Sequence, residues 1–271
     1  MKKIFFMAMA GLLALSCSPV KDDRVLSNSF DKDNIKLSYS QSEPGSNIIT
    51  LKMESKGIIG WWDLLVGTEH SDVATVSIPF KGKPVFTFYS STPYINGSLD
   101  DLESVSASVE VDVTKIVEAP HERYYMLCGE GGTGKTWVFD GTPGDGRNWF
   151  YMCGSNPKSW KGPWWNPGAG GEFEGCYASL EFNLEGAANY ILTPEPGAEP
   201  IKSSFAFSSD YESIKLPQQT LPGMFQCAPP YPSEFKIMEF TEDRLALYAN
   251  YQKSDNPSET QGWVWIFKPA E

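Results

Sequence analysis

Histidine is almost missing from this chain: His70 and His121 are the only two in 271 residues, and they lie far apart. Histidine-rich metal sites and a Ser-His-Asp hydrolase therefore have little to be built from. No stretch sustains an apolar period of 3.6 residues, which argues against the helical fold classes. Positive charge is scarce as well, with 22 Lys and Arg against 34 Asp and Glu and a formal net charge of −12. That balance excludes nucleic acid, anionic lipid headgroups and polyanionic glycans as natural partners, and it leaves a neutral ligand. The one long apolar run, Ile4 to Leu15, is too short to cross a bilayer as a helix.

Lys2 and Lys3 precede that run, and Ser16-Cys17 follows it, so residues 1–16 read as a secretory signal. The segment resembles a bacterial lipoprotein signal, in which Cys17 would be acylated and become the mature N-terminus. Residues 17–29 are polar and aperiodic, and read as a tether. Their Lys21-Asp22-Asp23 resembles the acidic signal that sends lipoproteins of the Bacteroidetes to the cell surface. The resemblance implies an outer-membrane protein, exposed at the surface and joined to the membrane through its lipid alone. Without residues 1–16 the chain keeps 20 basic and 34 acidic residues, a net of −14. The remaining length suits two domains.

Cys128, Cys153, Cys176 and Cys227 all fall in the second half. In an exported chain four cysteines allow up to two disulfides in three connectivities, with buried free thiols as the alternative. Their spacings are too wide for the paired Cys-x-x-Cys of a zinc knuckle, and no metal or other cofactor is expected.

Residues 30–118 alternate as strands do. Ile35 to Tyr39, Ile49 to Met53, Val73 to Ile78, Val85 to Tyr89 and Val105 to Val113 are separated by turns such as Glu43-Pro44-Gly45 and Ile95-Asn96-Gly97. The pattern predicts an immunoglobulin-like sandwich. Trp61-Trp62-Asp63-Leu64-Leu65-Val66-Gly67 and Val76 to Gly82 resemble a PKD-like domain of extracellular bacterial proteins. One tryptophan of the adjacent pair should face the core and the other the surface. Such a domain would hold the rest of the chain away from the membrane.

Gly129-Glu130-Gly131-Gly132-Thr133-Gly134-Lys135-Thr136 spells a phosphate-binding P-loop, and Tyr124 to Cys128 before it reads as an apolar strand. The motif also needs a helix after it. Thr136-Trp137-Val138-Phe139 is β-prone, and Asp140 to Gly146 would break any helix. We read the match as false and the stretch as a flexible loop between two strands.

From residue 121 to 271 the composition shifts. Trp137, Trp149, Trp160, Trp164 and Trp165 crowd together among glycines and prolines. Pro163 and Pro167 exclude regular structure from the loop around Trp164. Aromatic clusters on proline-braced loops suit sugar rings, whose C–H faces stack on π-systems while polar neighbours bond the hydroxyls. Trp149, Trp160, Trp164, Trp165, Asn166 and Asp145 are the candidate ligand contacts, with Asn156 and Lys158 as further donors; a loop folded down as a satellite core is the alternative. Strands follow at Cys176 to Leu184, Ala188 to Leu192, Ser203 to Phe207, Phe235 to Phe240, Arg244 to Tyr248 and Trp263 to Phe267. The closing ones form a meander with a turn at Thr241-Glu242-Asp243. Spacing predicts an all-β unit, either a jelly-roll-like sandwich or a lipocalin-like β-barrel.

With Gly134 to Asp140, Trp164-Trp165 with Pro167, and Glu234 to Leu245, the whole chain resembles the surface glycan-binding or accessory lipoproteins of polysaccharide-utilisation systems. The resemblance implies a non-catalytic protein that captures a neutral glycan or polysaccharide beside outer-membrane uptake machinery. Two rival readings remain. Glu172-Phe173-Glu174 on a strand would place two carboxylates about 6.6 Å apart on one face, near what a glycoside hydrolase needs. Alternatively the tryptophans are all core, and the protein is structural or adhesive.

Overall fold

The computed structural model describes residues 35–91, 94–95, 102–103, 105–216, 221–223, 231–252 and 260–271. The signal and tether, Cys17, the Asn96-Gly97 turn and Cys227 lie outside them. In the first unit, alternation buries Ile49, Leu51 and Met53 of β2 (Ile48–Met53). This strand pairs with β1 (Leu37–Gln41) and β5 (Val73–Ser77) in one antiparallel sheet. A second sheet runs β4 (Thr68–Glu69), β3 (Gly60–Asp63), β6 (Val85–Ser90) and β9 (Ser106–Glu110). A small hairpin joins β7 (Tyr94–Ile95) to β8 (Leu102–Glu103). Trp62 is buried and meets Phe88 edge-on at 5.3 Å, whereas Trp61 faces outward and stacks on Tyr89. The two tryptophans face opposite ways, as strand geometry requires.

Asn47 ties this unit to the linker that follows it. Its side chain is fully buried, yet its amide donates to the Ile78 and Glu118 carbonyls and its oxygen accepts from the Val117 and Glu118 amides. The units then meet at their backbones. Lys81 bridges Glu185, and a side chain at Gly82 would come within 2.5 Å of the Gly186 carbonyl. His121 stacks on Tyr211 at 3.8 Å beyond them, and Tyr211 holds the left-handed φ of 59° while its carbonyl accepts from Arg123.

The second unit opens with a correction: Glu122–Cys128 is a helix, α1, where a strand is expected. His121 caps it through the Arg123 amide, Glu122 sits in its first turn, and Tyr124, Leu127 and Cys128 share its buried face at i, i+3, i+4. The strands are β10 (Lys135–Phe139), β11 (Phe150–Cys153), β12 (Ser179–Asn183), β13 (Asn189–Thr193), β14 (Ile201–Ser204), β15 (Ala206–Phe207), β16 (Ser213–Lys215), β17 (Glu234–Phe240), β18 (Leu245–Gln252) and β19 (Thr260–Pro269). Their order is β14-β13-β12-β10-β19-β18-β17-β16-β15, with β11 also on β19. Only Phe205 separates β14 from β15, so the two ends of the sheet meet at one residue. This is a nearly closed up-and-down barrel rather than a jelly roll, because neighbours in the sheet are almost all neighbours in the chain.

Inward-facing aromatics fill the barrel: Trp137, Phe182, Tyr190, Phe235 and Trp265 are all fully buried. At roughly 2 kcal/mol for each large apolar side chain, this packing dominates the stability of the unit. β19 is buried along both faces from Trp263 to Phe267, as its uninterrupted apolar run predicts.

Candidate functional site

The glycine-rich stretch is structural. Gly129, Gly131, Gly132 and Gly134 all hold positive φ, and a side chain on Gly132 would lie 2.9 Å from Leu184. Strand β10 follows, so the helix that a phosphate cradle requires is not formed. The Lys135 ammonium donates to the Met126 and Glu242 carbonyls and lies 4.4 Å from the centre of the Trp137 ring. Burial pulls its pKa below the usual lysine value.

The tryptophan-rich loop is a strap folded over the outside of the barrel. Antiparallel partners share a face, and the register places Ser213, Lys236, Tyr248, Val264 and Tyr151 in one outward row across β16, β17, β18, β19 and β11. Two hydroxyls in that row meet the strap: Tyr151 donates to the Trp160 carbonyl at 2.7 Å, and Tyr248 shares its hydrogen between the near Asn250 side-chain oxygen and the Gly154 carbonyl at 3.2 Å. Burial pushes both phenols up to about 12, so they remain donors across the physiological range. Within the strap, Asn156 caps a short 3-10 turn at Pro157–Ser159, and the Ser159 hydroxyl donates back to Gly154. The far end is fixed by a backbone pair, Met152 N–H to Trp165 and Trp164 N–H to Met152.

The six candidate contacts separate into two groups. Trp149 is 0% exposed, which removes it from the candidate ligand contacts. Its ring packs 4.9 Å from Phe139 and 5.5 Å from Phe173, over Gly141 and Gly168, where a side chain would collide with it. Asp145 is likewise internal in role: its carboxylate accepts from the Thr142 and Arg147 amides, the Arg147 guanidinium and the Trp149 indole. These bonds hold it at about 2, well below the usual carboxylate value, with the backbone amides as the main cause. Asn166 caps α2 (Pro167–Gly170) through Ala169 and donates to the Arg147 carbonyl and to Asn148. Asn166 therefore ties the end of the strap to the Arg147-Asn148 loop, whose shape Asp145 holds.

Trp160, Trp164 and Trp165 remain, all on the strap. Trp165 turns inward and meets Trp263 edge-on at 5.7 Å. Trp160 is half-buried, with the Lys161 ammonium 5.1 Å from its ring centre. Trp164, facing the opposite way from Trp165, is 57% exposed. It is the most exposed of the tryptophans among the described residues. The strap is thus part satellite core and part open platform.

The carboxylate pair of the rival hydrolase reading does not sit on a strand. Glu172 and Glu174 lie in a loop and a turn, with Phe173 half-buried between them against Phe150, and Glu172 accepts from the Tyr177 hydroxyl at 2.7 Å. Cys128, Cys153 and Cys176 are buried free thiols, which corrects the disulfide expectation for these three. Burial pushes Cys153 up to about 11 and Cys128 further still, so neither presents a thiolate. Among the described residues, no three His, Cys, Asp or Glu side chains converge as metal ligands.

Sequence reasoning missed Tyr151 and Tyr248, the residues that position the strap. Their signal was present in principle, since each is a polar-tipped aromatic at an outward position of an apolar strand. No protein-family model matches the chain, and no curated protein matches it.

Proposed function

We propose that the chain is a non-catalytic carbohydrate-binding lipoprotein, anchored at the cell surface through Cys17 and assisting polysaccharide capture. The observation that carries this reading is Trp164, a tryptophan held 57% exposed on a strap that is pinned at both ends. An open indole costs solvation, and a braced one loses little further freedom on binding, so it suits a stacking platform for a sugar ring. The net charge favours a neutral glycan over a polyanionic one. The secretory signal, the Lys21-Asp22-Asp23 stretch and the sandwich that precedes the barrel suit display outside an outer membrane, beside glycan uptake machinery.

The test is retention of the purified mature chain on a polysaccharide panel, with released sugar measured in parallel. Retention without release, weakened about tenfold in Trp164→Ala at an unchanged melting temperature, is the expected result. Release of fragments would favour a glycoside hydrolase instead. Indifference to every glycan would leave the structural or adhesive reading.

A further inference from the structure

A shallow, open cavity of about 500 Å³, of mixed polar and apolar lining, lies on the outer face of the barrel at the edge of the strap. Pro157 of the strap forms one wall, and Glu212, Ser213, Glu234, Lys236 and Asn250 form much of the rest. We propose that this cavity is a second subsite for the same glycan chain that stacks on Trp164, and that it takes the hydroxyls of a neutral, non-uronate sugar. The inference rests on the glycan-binding reading and adds to it a location and a substrate class.

Three observations carry it. The first is continuity. The cavity floor belongs to the same outward row as Tyr151 and Tyr248, the two residues that clamp the strap. From Tyr151 to Ser213 is four strand spacings, about 19 Å along the curved wall, and the strap bridges that span, since its Pro157 reaches the rim of the cavity. Trp164, at the other end of the strap, faces outward, since its neighbour Trp165 is turned in against Trp263.

The second observation is chemistry. The cavity alternates acceptors and donors: exposed Glu234 already accepts from the Ser213 hydroxyl at 2.8 Å, exposed Lys236 offers an ammonium, and Asn250 an amide. Sugar hydroxyls both donate and accept, and they match such a mixed set better than an apolar or purely anionic ligand would.

The third is charge. Asp210, Glu212 and Glu234 outnumber Lys236, so the lining repels uronic acids. Asp210 is held in its ionised form, mainly by the Ser208 hydroxyl and the Glu212 amide, and keeps that sign at neutral pH.

Affinity electrophoresis of the mature chain in laminarin, galactomannan, xylan, glycogen and polygalacturonate tests this directly. Wild type should be retarded by at least one of the four neutral polysaccharides and not by polygalacturonate. Lys236→Ala and Glu234→Gln should each lower the affinity about threefold, the worth of one hydrogen bond, at an unchanged melting temperature. Trp164→Ala should lower it about tenfold. If Trp164→Ala weakens binding while both cavity variants match wild type, the subsite is overturned and the glycan-binding reading stands. Retardation by polygalacturonate overturns the substrate class. No retardation of wild type in any gel overturns both the subsite and the reading it rests on.

Discussion

Trp149 and Trp164 show how two residues of one type, fifteen positions apart, take opposite roles. Trp149 closes a stack with Phe139 and Phe173, so Trp149→Ala should cost about 3–5 kcal/mol, read as a large fall in melting temperature. Trp164→Ala removes an exposed ring and should leave the melting temperature within error while sugar binding falls. Asp145 provides a pH test. Its folded value is depressed to about 2 from an unfolded 3.8, so its contribution to stability is present above pH 4 and is lost as pH falls toward 2. Melting temperatures measured from pH 6 to pH 2 should therefore fall more steeply in wild type than in Asp145→Asn. Equal slopes would mean that the clamp on Arg147 and Thr142 does not hold in solution. The sequence did not separate these roles, because a loop rich in glycine and proline has no period to show which ring faces in. Gly141 and Gly168, the gaps into which Trp149 fits, were the available signal.

At the scale of elements, strands were legible wherever one face is buried and the other wet, as in β2 and β5, since alternation records that difference directly. Helix α1 was not legible, because Tyr124-Tyr125-Met126-Leu127-Cys128 has β-prone residues and only two turns in which to show a helical period. Its cap decided the outcome: Pro120 and His121 precede Glu122, and Trp137 and Lys135 then donate to the Leu127 and Met126 carbonyls. The choice between barrel and sandwich lay beyond spacing, because both use short strands and differ only in which strands pair. The strap yields a prediction at this scale. Tyr151→Phe removes the bond to Trp160, so stability should fall by about 0.5–1.5 kcal/mol and amide exchange should rise at residues 154–163. Unchanged exchange there would show that Tyr151 does not hold the strap.

For the molecule as a whole, a seven-stranded sandwich hands the chain to a nearly closed barrel through a linker that Asn47 pins. Asn47→Ala would strand the buried Ile78 carbonyl and take a partner from the Glu118 carbonyl and two linker amides, so it should cost about 2 kcal/mol and loosen the linker to protease. A wild-type cleavage pattern at residues 115–121 would contradict that role. The sandwich, by this account, carries the barrel and its strap outward, with the exposed indole presented to solvent. The most direct measurement is tryptophan emission during titration with the neutral polysaccharide that retains the protein. Five of the nine tryptophans, Trp62, Trp137, Trp149, Trp263 and Trp265, are buried in the cores, which leaves the three of the strap and Trp61 of the sandwich to report binding, and Trp164→Ala separates the two places. The account expects a saturable blue shift in wild type that disappears in Trp164→Ala. A shift that survives in Trp164→Ala, or binding with no shift at all, would contradict it.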